Sequence, residues 1–281
     1  MIRVDAHHHV WRIARGDYGW LTPDLPIHRD YTLDDLRPLL GDITATVLVQ
    51  AAPTEAETAF MLSVARSSSG LVRGVVGWTD LSHADAPDRI GAMAAEPLLK
   101  GLRPMLQDIP DTEWILRRDV QPAIRAMTDA GLRFEALVQP RHLPILAEFC
   151  TRHPELRLVI NHGAKPAIAA GGWQPWADDI ARIARETQAL CKLSGLLTEA
   201  AQNSQVIDIR RYADHLIVCF GPDRLIWGSD WPVVNLAGGY MRWREGAREL
   251  LAGLPGNHQD AILGGTAQKF YNFSQEGARD D

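Results

Sequence analysis

Cysteine is scarce in this sequence, and its spacing excludes two kinds of structure. The 281 residues include three cysteines, Cys150, Cys191 and Cys219. They show no Cys-x-x-Cys spacing, so they form neither a disulfide framework nor a zinc knuckle, and we interpret them as reduced residues. The N-terminal Met-Ile-Arg-Val-Asp also lacks the apolar segment of a signal peptide. We therefore expect a cytoplasmic protein.

Basic excess, long apolar runs and glycine-rich nucleotide motifs are also missing. The net charge of −6 and the pI of about 5.9 exclude a basic surface for nucleic acid. No window approaches the roughly 20 apolar residues of a membrane span. No low-complexity linker divides the chain, so we expect one domain with a small-molecule partner. No hydrophobic stripe is distinctive enough to name an oligomer interface, so the sequence leaves the oligomeric state open.

Short runs rich in β-branched residues alternate with longer segments of helical periodicity along the whole chain. One of the helical segments begins with the capping box Thr54-Glu55-Ala56-Glu57. This alternation predicts a parallel sheet. The eight predicted strands are Arg3–His9, Thr46–Gln50, Val72–Trp78, Leu99–Met105, Arg133–Val138, Arg157–His162, Ala189–Gly195 and Arg224–Asp230.

Eight strand-then-helix units are the count of a closed (β/α)8 barrel, the TIM barrel of the α/β class. We predict that residues 1–273 form this single-domain barrel and that residues 274–281 are a frayed tail. An open doubly wound sheet is the alternative, but no Gly-x-Gly-x-x-Gly follows the first strand. Barrel active sites lie at the C-terminal ends of strands, so the loops Arg12–Asp30 and Trp231–Tyr240 are predicted to border the site.

Two histidines one residue apart stand in the first predicted strand. Because alternate side chains of a strand share a face, we expect Asp5, His7 and His9 to point one way and His8 the other. Two converging imidazoles can bind a divalent metal or polarise a carbonyl oxygen. A solvated histidine cluster or a tag remnant is the alternative, but the flanking apolar residues argue against a tag.

Polar side chains at the ends of other predicted strands are expected to converge on the same pocket. Asp230 can take a proton from water while His7, His9 and His162 stabilise an oxyanion, which is a hydrolytic arrangement. The alternatives are a turn or helix cap for Asp230 and a buried core residue for His162. The predicted substrate-binding residues from these strand ends and loops are Lys100, Arg103, Gln139 and Lys165.

Lys192 lies inside an apolar predicted strand, where an unpaired cation would be costly. We expect it to pair with Asp5, Asp230 or substrate, or else to face the outer helices. Among the nine tryptophans, Trp11, Trp78 and Trp231 follow strand ends and are predicted to line the pocket. Flat aromatic faces pack well on the C–H faces of sugars.

Five motifs in register resemble the amidohydrolase superfamily, in particular its amidohydrolase-related lactonase branch. The resemblance covers almost the whole chain, including a closing helix at Ile262 to Tyr271. The motifs are Asp5-Ala6-His7-His8-His9-Val10-Trp11, Lys100-Gly101-Leu102-Arg103, Asn161-His162-Gly163-Ala164-Lys165-Pro166, Cys191-Lys192-Leu193-Ser194-Gly195 and Trp227-Gly228-Ser229-Asp230-Trp231-Pro232.

The resemblance implies a (β/α)8 barrel that hydrolyses sugar lactones, such as fuconolactone, or aromatic-pathway lactones, such as pyrone dicarboxylates. It implies that Asp230 is the general base, and that His7, His9 and His162 bind the lactone carbonyl or a single divalent ion. Two departures matter: Asn161 stands where the family usually has Asp, and the fifth strand lacks the histidine of metal-dependent members. A binuclear site is therefore not expected. One ion, zinc by preference, held by His7, His9 and Asp230, or no metal at all, both remain open.

We predict a sugar-lactone hydrolase that opens L-fuconolactone or a related aldonolactone to the sugar acid. A dicarboxylate lactone should require several arginines at the mouth, and only Arg103 is well placed, with Arg29 and Arg141 available from loops. The alternatives are a pyrone-dicarboxylate-type lactonase, a metal-dependent decarboxylase of the same superfamily, and a non-catalytic binding protein on a barrel scaffold.

Overall fold

The computed structural model describes residues 2–273, which form an eight-stranded parallel barrel surrounded by helices. The strands pair in sequence order, each with the next one along the chain. The predicted single-domain (β/α)8 barrel is confirmed, while the predicted tail at 274–281 lies outside the described residues. The strands are β1 Val4–His8, β2 Ala45–Val49, β3 Val72–Gly77, β4 Leu99–Leu102, β5 Arg133–Ala136, β6 Leu158–Ile160, β7 Leu190–Leu193 and β8 Leu225–Trp227.

Backbone hydrogen bonds join the last strand region to the first, so the sheet is nearly closed. The amide of Asp230 donates to the carbonyl of His7 over 2.7 Å, and the amide of His9 donates to the carbonyl of Trp231 over 2.7 Å. This rules out the alternative of an open doubly wound sheet. It also brings the segments that follow β1 and β8 together at the C-terminal rim of the barrel.

Helices follow the strands and bury one face against the sheet. Thr54 caps α2, because its hydroxyl accepts from the Glu57 amide over 3.0 Å. The Glu57 carboxylate instead accepts from the amides of Ala51 and Ala52, at 3.0 and 2.7 Å, so only half of the predicted capping box forms. The helices are α1 Leu33–Leu36, α2 Glu55–Arg66, α3 Ala86–Ala94, α4 Gln121–Asp129, α5 Leu143–Arg152, α6 Trp176–Glu186, α7 Val206–Phe220, α8 Tyr240–Leu251, α9 Gly256–Asp260 and α10 Thr266–Tyr271.

The apolar core has an outer part, between strands and helices, and an inner part within the barrel. The inner part is built from the strand residues whose side chains face the barrel interior, which alternate with residues that face the helices. The C-terminal helix α10 packs onto this inner part. Its members include Val4, Ala6, Val47, Val76, Val159, Ile226, Phe270, Tyr271 and Phe273. The N-terminal end of the barrel is thus filled with side chains, which leaves the C-terminal end for a site.

A β-bulge in β1 changes which of its side chains face the barrel interior. The pairing of β1 with β2 shifts between Asp5 and His8. Ala6 belongs to the inner core, so Asp5 lies on the other face, where its carboxylate accepts from the Ser229 amide over 2.8 Å. The expectation that Asp5 shares a face with His7 and His9 is therefore wrong, because the bulge breaks the strict alternation.

None of the helices described between residues 2 and 273 is long and apolar enough to cross a membrane. All three cysteines are free, and Cys191 is buried beside the barrel wall.

Candidate active site

Asp230 and three histidines form a buried cluster at the C-terminal end of the barrel. One carboxylate oxygen of Asp230, Oδ1, lies 3.3 Å from Nε2 of His9, 3.6 Å from Nε2 of His7 and 3.7 Å from Nε2 of His162. None of the four residues is more than 4% exposed. The structure thus brings together all four residues predicted to be catalytic.

The local backbone turns Asp230 and His162 into this cluster just after their strands end. Asp230 has a φ of 58° and His162 a φ of 53°, in the left-handed region that Asp, Asn and His tolerate better than most residues. Nδ1 of His162 pairs with the Ser194 hydroxyl over 2.8 Å, which fixes the ring with Nε2 towards Asp230. A turn does form at Asp230, but it serves to aim the carboxylate.

Burial and neighbouring charges set the protonation states of the cluster. Burial lowers the pKa of His7 well below its ordinary value, and the nearby Lys192 charge acts in the same direction. Burial lowers the pKa of His162 to about 3, despite the opposing charge of Asp230. The pKa of Asp230 is lowered, because its histidine contacts outweigh burial. At neutral pH the site therefore presents an ionised Asp230 carboxylate beside the neutral imidazoles of His7 and His162.

The donor set also fits one divalent ion. Ligand atoms of His7, His9 and Asp230 all lie within 4.8 Å of one another. Nδ1 of His9 is 2.7 Å from the Val49 carbonyl, which can only accept, so Nδ1 carries a proton and, in the neutral form of the ring, Nε2 offers a lone pair. That lone pair faces a carboxylate oxygen 3.3 Å away, and a proton or a cation between them would relieve the repulsion.

A second polar cluster lies directly below the histidines and involves Lys192. Its ammonium is 2.6 Å from Oε2 of Glu135 and 3.1 Å from Nδ1 of His7. Glu135 also accepts from Asn161 over 2.9 Å and from the Tyr271 hydroxyl. The partner predicted for Lys192 was Asp5, Asp230, substrate or an outward position, and the structure gives Glu135 instead. Both residues point into the barrel, where each would be costly alone.

Arg103 crosses the floor of the site. Its guanidinium donates to the carbonyl of Gln50 and, over 3.3 Å, to Oδ1 of Asn161, while another contact of 3.4 Å reaches Nε2 of His7. Asn161 therefore links Arg103 to Glu135 through its two side-chain atoms. An amide suits this place better than a carboxylate, since it accepts from one partner and donates to the other.

A cavity of about 240 Å³ opens above the cluster. Five of the predicted site residues line it: His9, Arg103, His162, Lys165 and Asp230. Residues that the sequence analysis did not select complete its wall. These are Trp20, Ala51, Met105, Gln107, Asp108, Leu137 and Val233. Trp20 and Val233 come from the two loops predicted to border the site, which was the available signal for them.

Five other residues predicted to bind substrate are not among the described residues that line this cavity. Trp11 and Trp231 are at most 2% exposed and support the site from behind. The stem of Lys100 passes Gly74 beside Phe273, towards the opposite end of the barrel. The remaining two are Gln139, which accepts from Arg141 over 3.2 Å, and Trp78, whose backbone pairs with Thr58.

Residues 4–273 match the amidohydrolase family model. The chain belongs to the amidohydrolase family. This amidohydrolase is 42% identical to a curated L-fucono-1,5-lactonase of Burkholderia ambifaria, over 97% of this chain and 96% of the relative. It is 33% identical to a second curated L-fucono-1,5-lactonase, from Burkholderia multivorans, over 96% of both chains.

Solved structures of an amidohydrolase are also similar to this chain. Two crystal structures of an amidohydrolase from Burkholderia multivorans superpose on this amidohydrolase with a TM-score of 0.91. They are 32% identical to it and cover 98% of this chain and 100% of their own. One contains bound Hepes and the other bound zinc.

Proposed function

We propose that this chain is a lactonase that opens L-fucono-1,5-lactone, or a related aldonolactone, to the free sugar acid. The observation that carries the proposal is the Asp230 carboxylate facing three imidazoles at the base of a cavity. Its two curated relatives, 42% and 33% identical over nearly the whole chain, are L-fucono-1,5-lactonases.

In the proposed mechanism Asp230 is the general base. A water molecule in the cavity gives a proton to the Asp230 carboxylate as its oxygen adds to the lactone carbonyl carbon. The negative charge that develops on the carbonyl oxygen is stabilised by the imidazoles of His7 and His162 and by the Arg103 guanidinium. Asp230 then returns the proton to the ring oxygen as the C–O bond breaks, which yields the open hydroxy acid.

The metal state is a separate part of the proposal. His7, His9 and Asp230 would hold a single divalent ion, for which we propose zinc because the solved amidohydrolase at 32% identity contains it. When bound, such an ion supplies Lewis-acid polarisation and lowers the pKa of water. With the ion bound, Asp230 would still handle the proton, while His162 and Arg103, which are not among the ligands of the ion, would hold the carbonyl oxygen.

The charges around the cavity favour an uncharged substrate over a dicarboxylate lactone. Lys165 is 3.3 Å from Glu199, and Arg103 is tied to backbone and amide oxygens. The two loop arginines considered earlier are engaged too, since Arg29 pairs with Asp35 and Arg141 holds loop carbonyls. No free arginine pair in the described cavity wall is therefore available for two carboxylates.

The test is hydrolysis of a panel of sugar lactones, followed with a pH indicator, on enzyme as purified and after chelation. We expect turnover of L-fucono-1,5-lactone or a close relative above the spontaneous rate. The proposal would be contradicted by no turnover of any sugar lactone together with turnover of pyrone-dicarboxylate lactones or release of CO₂ from aromatic acids. Tight binding of sugar acids without any turnover would favour the non-catalytic alternative.

A further inference from the structure

Trp20 differs from the other aromatic residues around the first loop, because a large part of its ring is open. It is 38% exposed, whereas Trp11 is 0% and Tyr31 is 4% exposed. Trp20 lines the cavity above the Asp230 cluster, so it borders the space where a substrate would bind. An exposed tryptophan in a cavity is a better candidate for ligand contact than a buried one.

A hydrogen bond and a ring contact hold Trp20 in place. Its indole Nε1 donates to the Ala51 carbonyl over 2.7 Å. Its ring lies edge-to-face with Trp11, with 5.4 Å between the ring centroids, and Trp11 packs in the same way on Tyr31. Trp11 in turn lies alongside the His9 ring, 6.5 Å away. The position of Trp20 is thus coupled through packed rings to the reacting cluster.

The two kinds of residue in the cavity wall suggest how a sugar lactone would lie. Hydroxyl groups need donors and acceptors, which Gln107, Asp108 and Lys165 offer. A methyl group and the C–H face of a ring need apolar surface. That surface is offered by Trp20, Ala51, Met105, Leu137 and Val233.

We infer that Trp20 is a specificity-determining residue, whose face binds the carbon skeleton of the lactone and selects 6-deoxy sugar lactones over their 6-hydroxy counterparts. This inference rests on the proposed function. A 6-hydroxyl placed against the tryptophan wall would lose hydrogen bonds to water without gaining a partner. Apolar pockets reject an added hydroxyl only moderately, so the preference expected in kcat/KM is about tenfold to hundredfold.

The test compares L-fucono-lactone with L-galactono-lactone in the wild type and in two variants. In Trp20→Ala, we expect KM for the 6-deoxy lactone to rise by about tenfold and the preference to fall below about threefold, with kcat nearly unchanged. Trp20→Phe keeps a ring but loses the bond to Ala51, so it should be intermediate. Met241→Ala, at another apolar residue that is 43% exposed, is the matched control and should leave both values unchanged.

A binding measurement separates failure of this inference from failure of the proposed function. The cyclic ether 1,5-anhydro-L-fucitol lacks the carbonyl, so its binding by calorimetry or by tryptophan fluorescence requires no catalysis. We expect it to bind the wild type and to bind Trp20→Ala about tenfold more weakly. If lactones are hydrolysed but Trp20→Ala leaves KM, preference and ether binding unchanged, the inference is wrong and the function stands. If no lactone is turned over and the ether does not bind, both are wrong.

Discussion

Two polar layers lie one above the other in this barrel, and they differ in how closely their groups are paired. In the upper layer, the contacts of Asp230 with His7, His9 and His162 measure 3.3–3.7 Å. The lower layer is tighter. Glu135 lies 2.6 Å from Lys192 and 2.9 Å from Asn161, and it also accepts from Tyr271.

The difference separates reactivity from support. The lower groups have satisfied one another and are sealed from solvent, so they have little capacity left for a ligand. The upper groups have long, incomplete contacts beside a cavity, so a water or a carbonyl oxygen can complete them. Buried charge is thus common to both layers, and only the residues proposed to react combine incomplete pairing with adjacent open space.

The largest effect is expected from Asp230→Asn, in the upper layer. The amide keeps the shape of the upper layer but cannot take a proton, so we expect kcat to fall by about 10²- to 10⁴-fold. Thermal stability should change little. The lactone assay and a thermal melt measure both effects, and near wild-type turnover in the variant would remove Asp230 from its role as base.

In the lower layer we expect a substitution to reduce stability. Glu135→Ala leaves the Lys192 ammonium buried without its carboxylate, which should lower the free energy of unfolding by about 3–5 kcal/mol. Urea denaturation measures the loss. The double variant Glu135→Leu/Lys192→Met removes both charges and should recover much of the stability. Equal stability of wild type and Glu135→Ala would mean that the lower layer does not support the fold.

Zinc binding should distinguish the two layers, because we expect only the upper layer to bind the ion. Added to chelated protein, zinc should bind at about one ion per chain and raise the melting temperature, since a ligand of the native state stabilises it. His9→Leu should abolish both effects, whereas Tyr271→Phe in the lower layer should not. Metal analysis after dialysis provides the count, and unchanged zinc binding in His9→Leu would place the ion elsewhere.

The smallest effect concerns Glu57, another buried carboxylate, whose pKa burial raises to about 7. Because the folded protein holds this proton more tightly than the unfolded chain, the contribution of Glu57 to stability falls as pH rises from its ordinary value of 4.5 towards 7. Glu57→Gln should flatten the pH dependence of stability in this interval. Urea unfolding at pH 5 and pH 8 compares the two proteins, and parallel pH profiles would contradict the assignment.

Much of the fold and of the reacting cluster follows from local sequence patterns. β-branched runs indicate the eight strands, and the rule that barrel sites lie at strand C-terminal ends selects His7, His9, His162 and Asp230. The same rule was weaker for Lys100, since its side chain lies towards the other end of the barrel. The position of a residue along its strand decides at which end of the barrel its side chain lies.

Other features depend on packing between distant segments. Alternate strands of a barrel contribute to common layers, so β1, β5 and β7 could have suggested His7, Glu135 and Lys192 as neighbours. The bulge in β1 has no such signal, because it depends on pairing with β2. Trp20 comes from a loop without periodicity, so only the folded chain reveals its contact with Ala51.

The junction between the first and last strands has a consequence for how the protein becomes active. His9 and Asp230 are separated by 221 positions and meet only where the barrel closes. During synthesis from the N-terminus, the histidines of β1 emerge early, whereas Asp230, the proposed base, is among the last barrel residues to appear. A ribosome-bound or truncated chain that ends before residue 230 should thus be inactive however well its first strands fold, so activity would report that synthesis has passed β8.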